Sequence, residues 1–377
     1  MDSICILSTV HLCFDVRMFQ AEARTLARAG FAVTLIALED PTPGDPGGIR
    51  ILAQPRPRHR LQRMLSTLRV VRLARAQPAA LYAFHDPELL PAALLLKLLT
   101  RRKLVYDVHE DVPAAIRSRT WLPRPLRPLA ARLYRLLESL ALPFLDGLTL
   151  ADHAYQKYYR GRRTITALNY PLMTYADLYE EPGPDRRPTL VYAGSITALR
   201  GLYEMIELAR RLRPDFPDLL LRLVGPVGSP EEKARAGELI ARHDLGGHVE
   251  FTGLVSHLEV HRHILDADAG LALLHPDPNY LQSLPTKMFE YMMMGRPVVV
   301  SNFPMWAQIV AESGCGFAPD PLDLDEVEQA LRRLLGNEGL RREMGRRGRA
   351  AVLEKYSWER EGERLVQFYR DLLNEGL

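Results

Sequence analysis

The sequence predicts an α/β protein built from two doubly wound parallel-sheet domains. Three observations carry this. Short apolar runs, leucine-rich or β-branched and without alternation, recur along the chain, as expected of strands buried on both faces. Segments of helical period separate them, and such alternation closes into parallel sheets through right-handed crossovers. The rhythm breaks once, at 171–187 (PLMTYADLYEEPGPDRR), and restarts at Pro188.

In the first half the expected strands are Ser3–Ser8, Ala32–Leu38, Ala80–Phe84, Leu104–Val108 and Gly147–Leu150. An amphipathic helix over Arg17–Ala29 is expected to stop at Gly30, a common position for a helix-ending glycine. In the second half the strands are Thr189–Ala193, Leu219–Val224, Val249–Thr252, Gly270–Leu274 and Pro297–Ser301. A helix opens near Pro285 and ends near Gly295, and a last helix covers Ser357–Leu373. The polar, proline-rich break reads as a linker. The expected domains are therefore 1–172 and 186–356. Ligands of open α/β sheets bind beyond the carboxyl ends of the strands, so a central cleft faced by both domains is the expected site.

Composition narrows the function. A hydrophobic content of 47% and a charged content of 25% over 377 residues suit two globular cores. Three cysteines, none in a C-x-x-C pair, argue against a disulfide framework or zinc ribbon and fit a reducing, cytoplasmic compartment. The first residues carry no basic leader, and no apolar run is long enough to span a bilayer. The net charge of +3 hides an asymmetry: residues 1–170 sum to +11 and 171–377 to −8. Seven arginines and no acid lie between Arg56 and Arg75, and Arg117, Arg119, Arg124, Arg127, Arg132 and Arg135 follow beside leucines and Trp121. Basic residues among leucines suit an anionic bilayer, with a solvated helix face as the alternative and nucleic acid as a weaker one.

Several chemistries are excluded by missing motifs. There is no G-x-G-x-x-G for a dinucleotide, no phosphate-binding P-loop and no G-x-S-x-G elbow. What remains stands at strand ends. His11, Asp15 and Arg17 follow the first strand; His85, Asp86 and Glu88 follow the third; His109, Glu110 and Asp111 follow the fourth. Three crossovers thus bring histidines and carboxylates to one rim, where they can bind hydroxyls or move a proton. Asp86 and Asp111 also suit simple helix caps. In the second half Gly194 and Ser195 leave a strand; Gly194 allows close approach to a ligand, and Arg200 with nearby helix N–H groups suits a pyrophosphate. The stretch Ser283-Leu284-Pro285-Thr286-Lys287 opens a helix on which Lys287 can meet phosphate and Glu290, three residues on, can accept two hydroxyls of a ribose. A plain surface ion pair between Lys287 and Glu290 is the alternative.

HLCFDVRMFQAEARTLARAGFAVTLIA, HDPELLP, YDVHEDVP, YAGSITALRGL and SLPTKMFEYMMMGRPVVVSNFP, in this order, resemble the motifs of glycosyltransferase family 4, the retaining group 1 enzymes of GT-B fold. The resemblance covers nearly the whole chain. It implies two Rossmann-like domains, with the last helix (357–377) packing back on the first. It implies that His109 contacts the transferred sugar, that Arg200 and Lys287 hold the donor pyrophosphate, and that Glu290 holds the ribose. Gly225-Pro226 and Leu254–His257 would wall the base. Two positions depart from the family pattern: Gln282 stands where the signature's first glutamate is expected, and Ser195 where an arginine is frequent. The NYLQSLPTK pattern resembles a bacterial surface-polysaccharide branch. The implied activity is sugar transfer from a nucleotide-diphosphate sugar, with no metal or other cofactor, to a lipid-linked glycan acceptor at the inner face of the cell membrane. His11, Asp15, Arg17, His85 and Glu110 are the expected acceptor-side residues. A non-catalytic nucleotide-sugar- or glycan-binding subunit and a nucleotide-sugar epimerase are the alternatives.

Overall fold

The computed structural model describes residues 2–375 except 42–43, 119–121, 182 and 184–185. Arg119 and Trp121, singled out above, lie outside the described residues. The chain forms two compact units: residues 1–169 with 358–377, and residues 170–357.

The first unit holds a seven-stranded sheet of order β3-β2-β1-β4-β5-β6-β7, parallel throughout. Its strands are β1 (Ser3–Leu12), β2 (Ala32–Leu38), β3 (Arg50–Gln54), β4 (Leu81–Phe84), β5 (Lys103–Val108), β6 (Gly147–Leu150) and β7 (Thr164–Thr166). The order reverses between β1 and β4, so the chain leaves these neighbours in opposite directions and a crevice opens beyond their carboxyl ends. β4, β5 and β6 are buried almost throughout, which is why they read as unbroken apolar runs.

The second unit repeats the plan with order β10-β9-β8-β11-β12-β13, again all parallel. Its strands are β8 (Thr189–Ala193), β9 (Leu220–Val224), β10 (Val249–Gly253), β11 (Ala269–Ala272), β12 (Val298–Val300) and β13 (Gly316–Phe317). The reversal falls between β8 and β11.

Four features differ from the sequence reading. The strands β3, β7 and β13 were not expected; β7 and β13 are very short, β3 begins and ends on polar residues, and all three lie at sheet edges. The first helix begins as a π-helix over Val16–Ala23, capped by Asp15, and only then becomes α-helical over Arg24–Arg28. β1 continues past Ser8 to Leu12, so His11 lies within the strand's last turn of chain. The expected linker is also not free-standing. Leu172 and Ala176 are buried, and the Arg349 guanidinium donates to the Ala176 carbonyl at 3.0 Å, tying this segment to the second unit.

The last helix, Trp358–Asn374, belongs to the first unit. Trp358 Nε1 donates to Thr25 Oγ1 at 2.9 Å, and the Leu168 amide donates to Glu361 at 3.2 Å. Phe368 lies so close to Gly147 that a Cβ there would stand 2.6 Å from its ring. All three cysteines are buried and unpaired. No helix among the described residues is long and apolar enough to cross a membrane.

Candidate functional site

The candidate site in the second unit forms where β8 and β11 diverge. Beyond β8, Gly194 has a φ of +127°, and beyond β9, Gly225 has a φ of +137°. A Cβ on Gly225 would lie 2.1 Å from the Gly194 carbonyl oxygen, so only glycine lets these two loops touch. Gly225 therefore shapes the site without lining it. Gly194 does line it: a Cβ there would meet Lys287 Cε and Nζ at 3.4 Å and Arg200 at 3.8 Å. The loop backbone thus faces both cations that the sequence assigned to phosphate.

Arg200 is aimed by neutral groups. It donates to the Tyr280 hydroxyl at 3.3 Å and to the Ser195 carbonyl at 3.4 Å. Ser195 contributes that backbone oxygen, which also accepts the Tyr192 hydroxyl at 2.8 Å. Lys287 sits over the Tyr192 ring at 5.1 Å. Its ammonium is pushed down to about 8 by burial and by the Arg200 charge, with Glu290 partly opposing. No ion pair of Lys287 with a carboxylate forms among the described residues. The expected alternative, a surface pair with Glu290, is therefore not what the structure holds. Two cations thus lie near each other, neither in an ion pair with a carboxylate among the described residues, which leaves local positive charge for an anion to neutralise.

Glu290 instead meets His257, whose Nε2 stands 3.1 Å from Oε1. Burial alone would push this carboxyl up, but His257, His261 and Lys287 hold it below the ordinary glutamate value. The helix Thr286–Met293 places Lys287 and Glu290 one turn apart, and no side chain caps its first turn. Its open N–H groups point where a phosphate would gain most. Trp306 Nε1 donates to the Ser283 carbonyl at 2.7 Å and holds the preceding loop. A cavity of about 380 Å³ results, lined among others by Gly194, Arg200, His257, Ser283, Leu284, Pro285, Thr286, Lys287 and Glu290.

Leu254 is a correction. It is 84% exposed and does not line this cavity; His257 and Val260 do. The reason lies in Ser256, which forms a reciprocal capping box with Glu259 and starts the helix His257–Leu265 with His257 turned inward. The S-x-x-E spacing could have revealed this from sequence.

In the first unit, His11, His85 and His109 do come together. Ring centroids are 5.2 Å apart for His11–His109, 6.1 Å for His11–His85 and 6.4 Å for His85–His109. Their exposures separate their roles. The side chains of His11 and His109 are 24% and 22% exposed, whereas His85 is at 1%. His85 lies between Glu22 at 3.3 Å and Asp107 at 3.1 Å. Burial would lower its pKa, but the two carboxylates push it up to about 10. Arg17 completes the buried network, donating to Asp107 at 2.8 and 3.1 Å and to the Ala167 carbonyl at 3.2 Å. Asp107 is thereby held well below the carboxylate range, Arg17 and His85 outweighing its burial. Arg17 and His85 are thus supports beneath the surface, not the acceptor contacts expected of them. Asp15 caps the π-helix through the Met18 amide and meets His11 at 3.3 Å.

Asp111 is a helix cap as foreseen, accepting the Ala114 amide at 3.0 Å. Asp86 is not: it accepts Ser8 Oγ at 2.7 Å and the Thr9 amide at 2.6 Å, bridging β4 to β1. Glu110 lines a different cavity, of about 290 Å³, with Arg135, Glu138, Tyr155 and Tyr158. Sequence reasoning missed Glu22 and Asp107; the signal was a carboxylate set inside an otherwise apolar helix face or strand. His85, Asp107 and His109 present possible metal-binding atoms within 4.8 Å of one another. Arg17 already occupies that carboxylate, so a second cation there is disfavoured.

Comparisons with known proteins agree with this architecture. Residues 179–351 match the model of the glycosyl transferases group 1, and residues 16–168 that of a glycosyl transferase 4-like domain. An alpha-D-kanosaminyltransferase of Streptomyces kanamyceticus is 28% identical over 199 residues, 52% of this chain and 49% of that protein. The chain thus spans about half the length of the curated relatives it matches. Among solved structures, a sucrose-phosphate synthase from Thermosynechococcus elongatus superposes with a TM-score of 0.75 at 18% identity, covering 100% of both chains. Anabaena HepE in complex with UDP and glucose gives 0.74 at 15%, covering 98% of this chain and 100% of that one. With both halves matched by family models and two all-parallel α/β units of GT-B type, the chain belongs to the group 1 glycosyltransferases of family 4.

Proposed function

We propose that this chain transfers a sugar from a nucleotide-diphosphate donor, bound in the second unit, to an acceptor bound by the first, with retention of anomeric configuration. The observation that carries this is the pair Arg200 and Lys287, neither in an ion pair with a carboxylate among the described residues, beside the backbone of Gly194 in the cavity that Glu290 also lines. The diphosphate lies against the two cations and the open helix turn, and the ribose hydroxyls against Glu290. Breaking the bond between the anomeric carbon and the diphosphate oxygen leaves charge on that oxygen, and prearranged cations stabilise it in place. The acceptor oxygen attacks from the face the phosphate leaves, and its proton passes to the departing phosphate oxygen. His109 contacts the sugar, with an Asp107 oxygen 3.6 Å from its Nδ1. No metal is needed for this step, since the two cations supply the charge.

A UDP sugar is the first donor to try, because HepE is similar to this chain and holds UDP. Calorimetric titration of UDP into wild type and Lys287→Ala tests the site. Loss of one charge-assisted phosphate contact is worth about 1.5–3 kcal/mol, roughly a ten- to hundredfold weaker Kd. Equal affinity in both proteins would sink the assignment. Turnover with UDP-, GDP- and ADP-sugars then separates a transferase from a subunit that only binds, and conversion of donor alone would mark an epimerase.

The acceptor is proposed to be lipid-linked and the protein peripheral on the inner membrane face. Support comes from three neighbouring helices of the first unit, Arg60–Arg75, Leu90–Thr100 and Leu126–Ala141. Leu126, Leu129, Leu133, Leu136 and Leu140 follow one helical stripe, and each is 47–62% exposed. Met64, Leu65 and Leu68 are exposed on the first helix, and Leu98 and Leu99 on the second. An apolar stripe turned to solvent among arginines suits a bilayer interface. A role in surface-polysaccharide or lipopolysaccharide assembly is the corresponding biological reading.

A further inference from the structure

One buried ring in the second unit is not explained by the donor site. His261 lies one turn after His257 on the helix His257–Leu265, with no exposed surface. Its Nδ1 lies 2.8 Å from the His257 carbonyl. A carbonyl only accepts, so the ring proton is on Nδ1 and Nε2 carries the lone pair. That Nε2 is buried and has no hydrogen-bond partner. Leaving a buried acceptor bare is costly, and native interiors rarely do so without a reason. The ring is also fixed in place, stacked on Tyr175 at 4.5 Å with 14° between planes.

We propose that His257, His261 and Glu290 form a binding site for a divalent transition metal of the zinc class. One nitrogen from each histidine and one Glu290 oxygen all lie within 4.8 Å of one another. The His257–Glu290 separation of 3.1 Å is close to the roughly 3.3 Å between ligands of a tetrahedral zinc with bonds near 2.0 Å. Histidines at i and i+4 share one helix face, and a backbone carbonyl behind the ligating ring is a usual second support. Two imidazoles and one carboxylate favour zinc, nickel or copper over magnesium or calcium. Three protein ligands leave one position open. Glu290 is also the carboxylate assigned to the ribose, so metal and nucleotide compete for it. That second statement rests on the donor reading above; the metal site itself does not.

The test uses the full-length chain without a histidine tag, stripped with chelator and titrated calorimetrically with zinc chloride. Wild type is expected to take up one equivalent, and His261→Phe and His257→Ala are each expected to weaken that uptake at least tenfold. His261→Phe keeps the stacked ring; His257→Ala, at a part-exposed position, carries the test if the first variant does not fold in zinc-free buffer. No stoichiometric uptake by wild type, or unchanged affinity in the folded variants, overturns the metal site. Zinc that binds equally well in saturating UDP overturns the competition. If zinc-free wild type fails to bind UDP, the donor reading falls while the zinc titration still judges the metal site.

Discussion

Lys287 gives the proposed donor site a defined pH dependence. Its ammonium is pushed down to about 8, against an ordinary lysine value of 10.5. Below pH 8 the free site is already charged and ready for a diphosphate. Above it, binding must first recover the proton, so UDP affinity is expected to fall about fivefold from pH 8 to pH 9. Calorimetry across that range checks this, and the slope is expected to vanish in Lys287→Ala; a flat wild-type profile would show that the Lys287 charge is not lost in this range. His85 works the other way. Its pKa rises from 6.5 to about 10 in the folded state because Glu22 and Asp107 flank it. The stability it contributes is complete below pH 6.5 and is lost as pH climbs through 10. Denaturant midpoints measured from pH 6 to 10 are expected to fall for wild type and to fall less steeply for His85→Gln. Which residues the sequence disclosed follows from their setting. Arg200, Lys287 and Glu290 stand beside a glycine loop or a helix start, where charge has a visible purpose. Asp107 and Glu22 sit inside apolar periodicity, where only a folded neighbour such as Arg17 or His85 reveals why a carboxylate is there.

Elements were legible in proportion to their burial. Gly147–Leu150 and Thr189–Ala193 were read to the residue because both faces of each strand are covered, so the apolar run and the strand coincide. Edge strands such as Thr164–Thr166 lack that covering and lose the signal. The π-helical start at Val16–Ala23 was also invisible, since composition does not separate π from α hydrogen bonding. The last helix shows what periodicity omits. Periodicity marked the helix but not its partner, which only the family resemblance implied: Trp358, 2% exposed, is held by Thr25 of the first unit, more than three hundred residues earlier in the chain. Trp358→Ala removes both the packing and that hydrogen bond, and is expected to cost about 3–5 kcal/mol. A denaturation midpoint within error of wild type would show that the helix is not anchored there.

At the scale of the whole molecule the charge is divided: +11 over residues 1–170 against −8 over 171–377. Like charges collected in one half repel each other, and a fold keeps such an excess more readily where an opposite charge meets it. Nucleotide-sugars are anionic, yet the cations assigned to them lie in the acidic half, so the donor does not account for the basic one. The anionic lipid surface proposed above would account for it, since the arginines surround leucines that gain by leaving water. Two energies then act together and can be separated. Attraction of arginine to anionic headgroups weakens as salt shortens the screening length from about 10 Å at 0.1 M to about 3 Å at 1 M. Leucine insertion is not screened. The full-length chain is therefore expected to float with vesicles containing anionic lipid, to ignore neutral ones, and to be largely released at 1 M salt. Leu133→Glu with Leu136→Glu, both more than half exposed, is expected to leave thermal unfolding nearly unchanged while abolishing flotation at low salt. Wild type that never floats, or a double variant that floats as well as wild type, would return these helices to the status of a solvated surface and remove the ground for a lipid-linked acceptor.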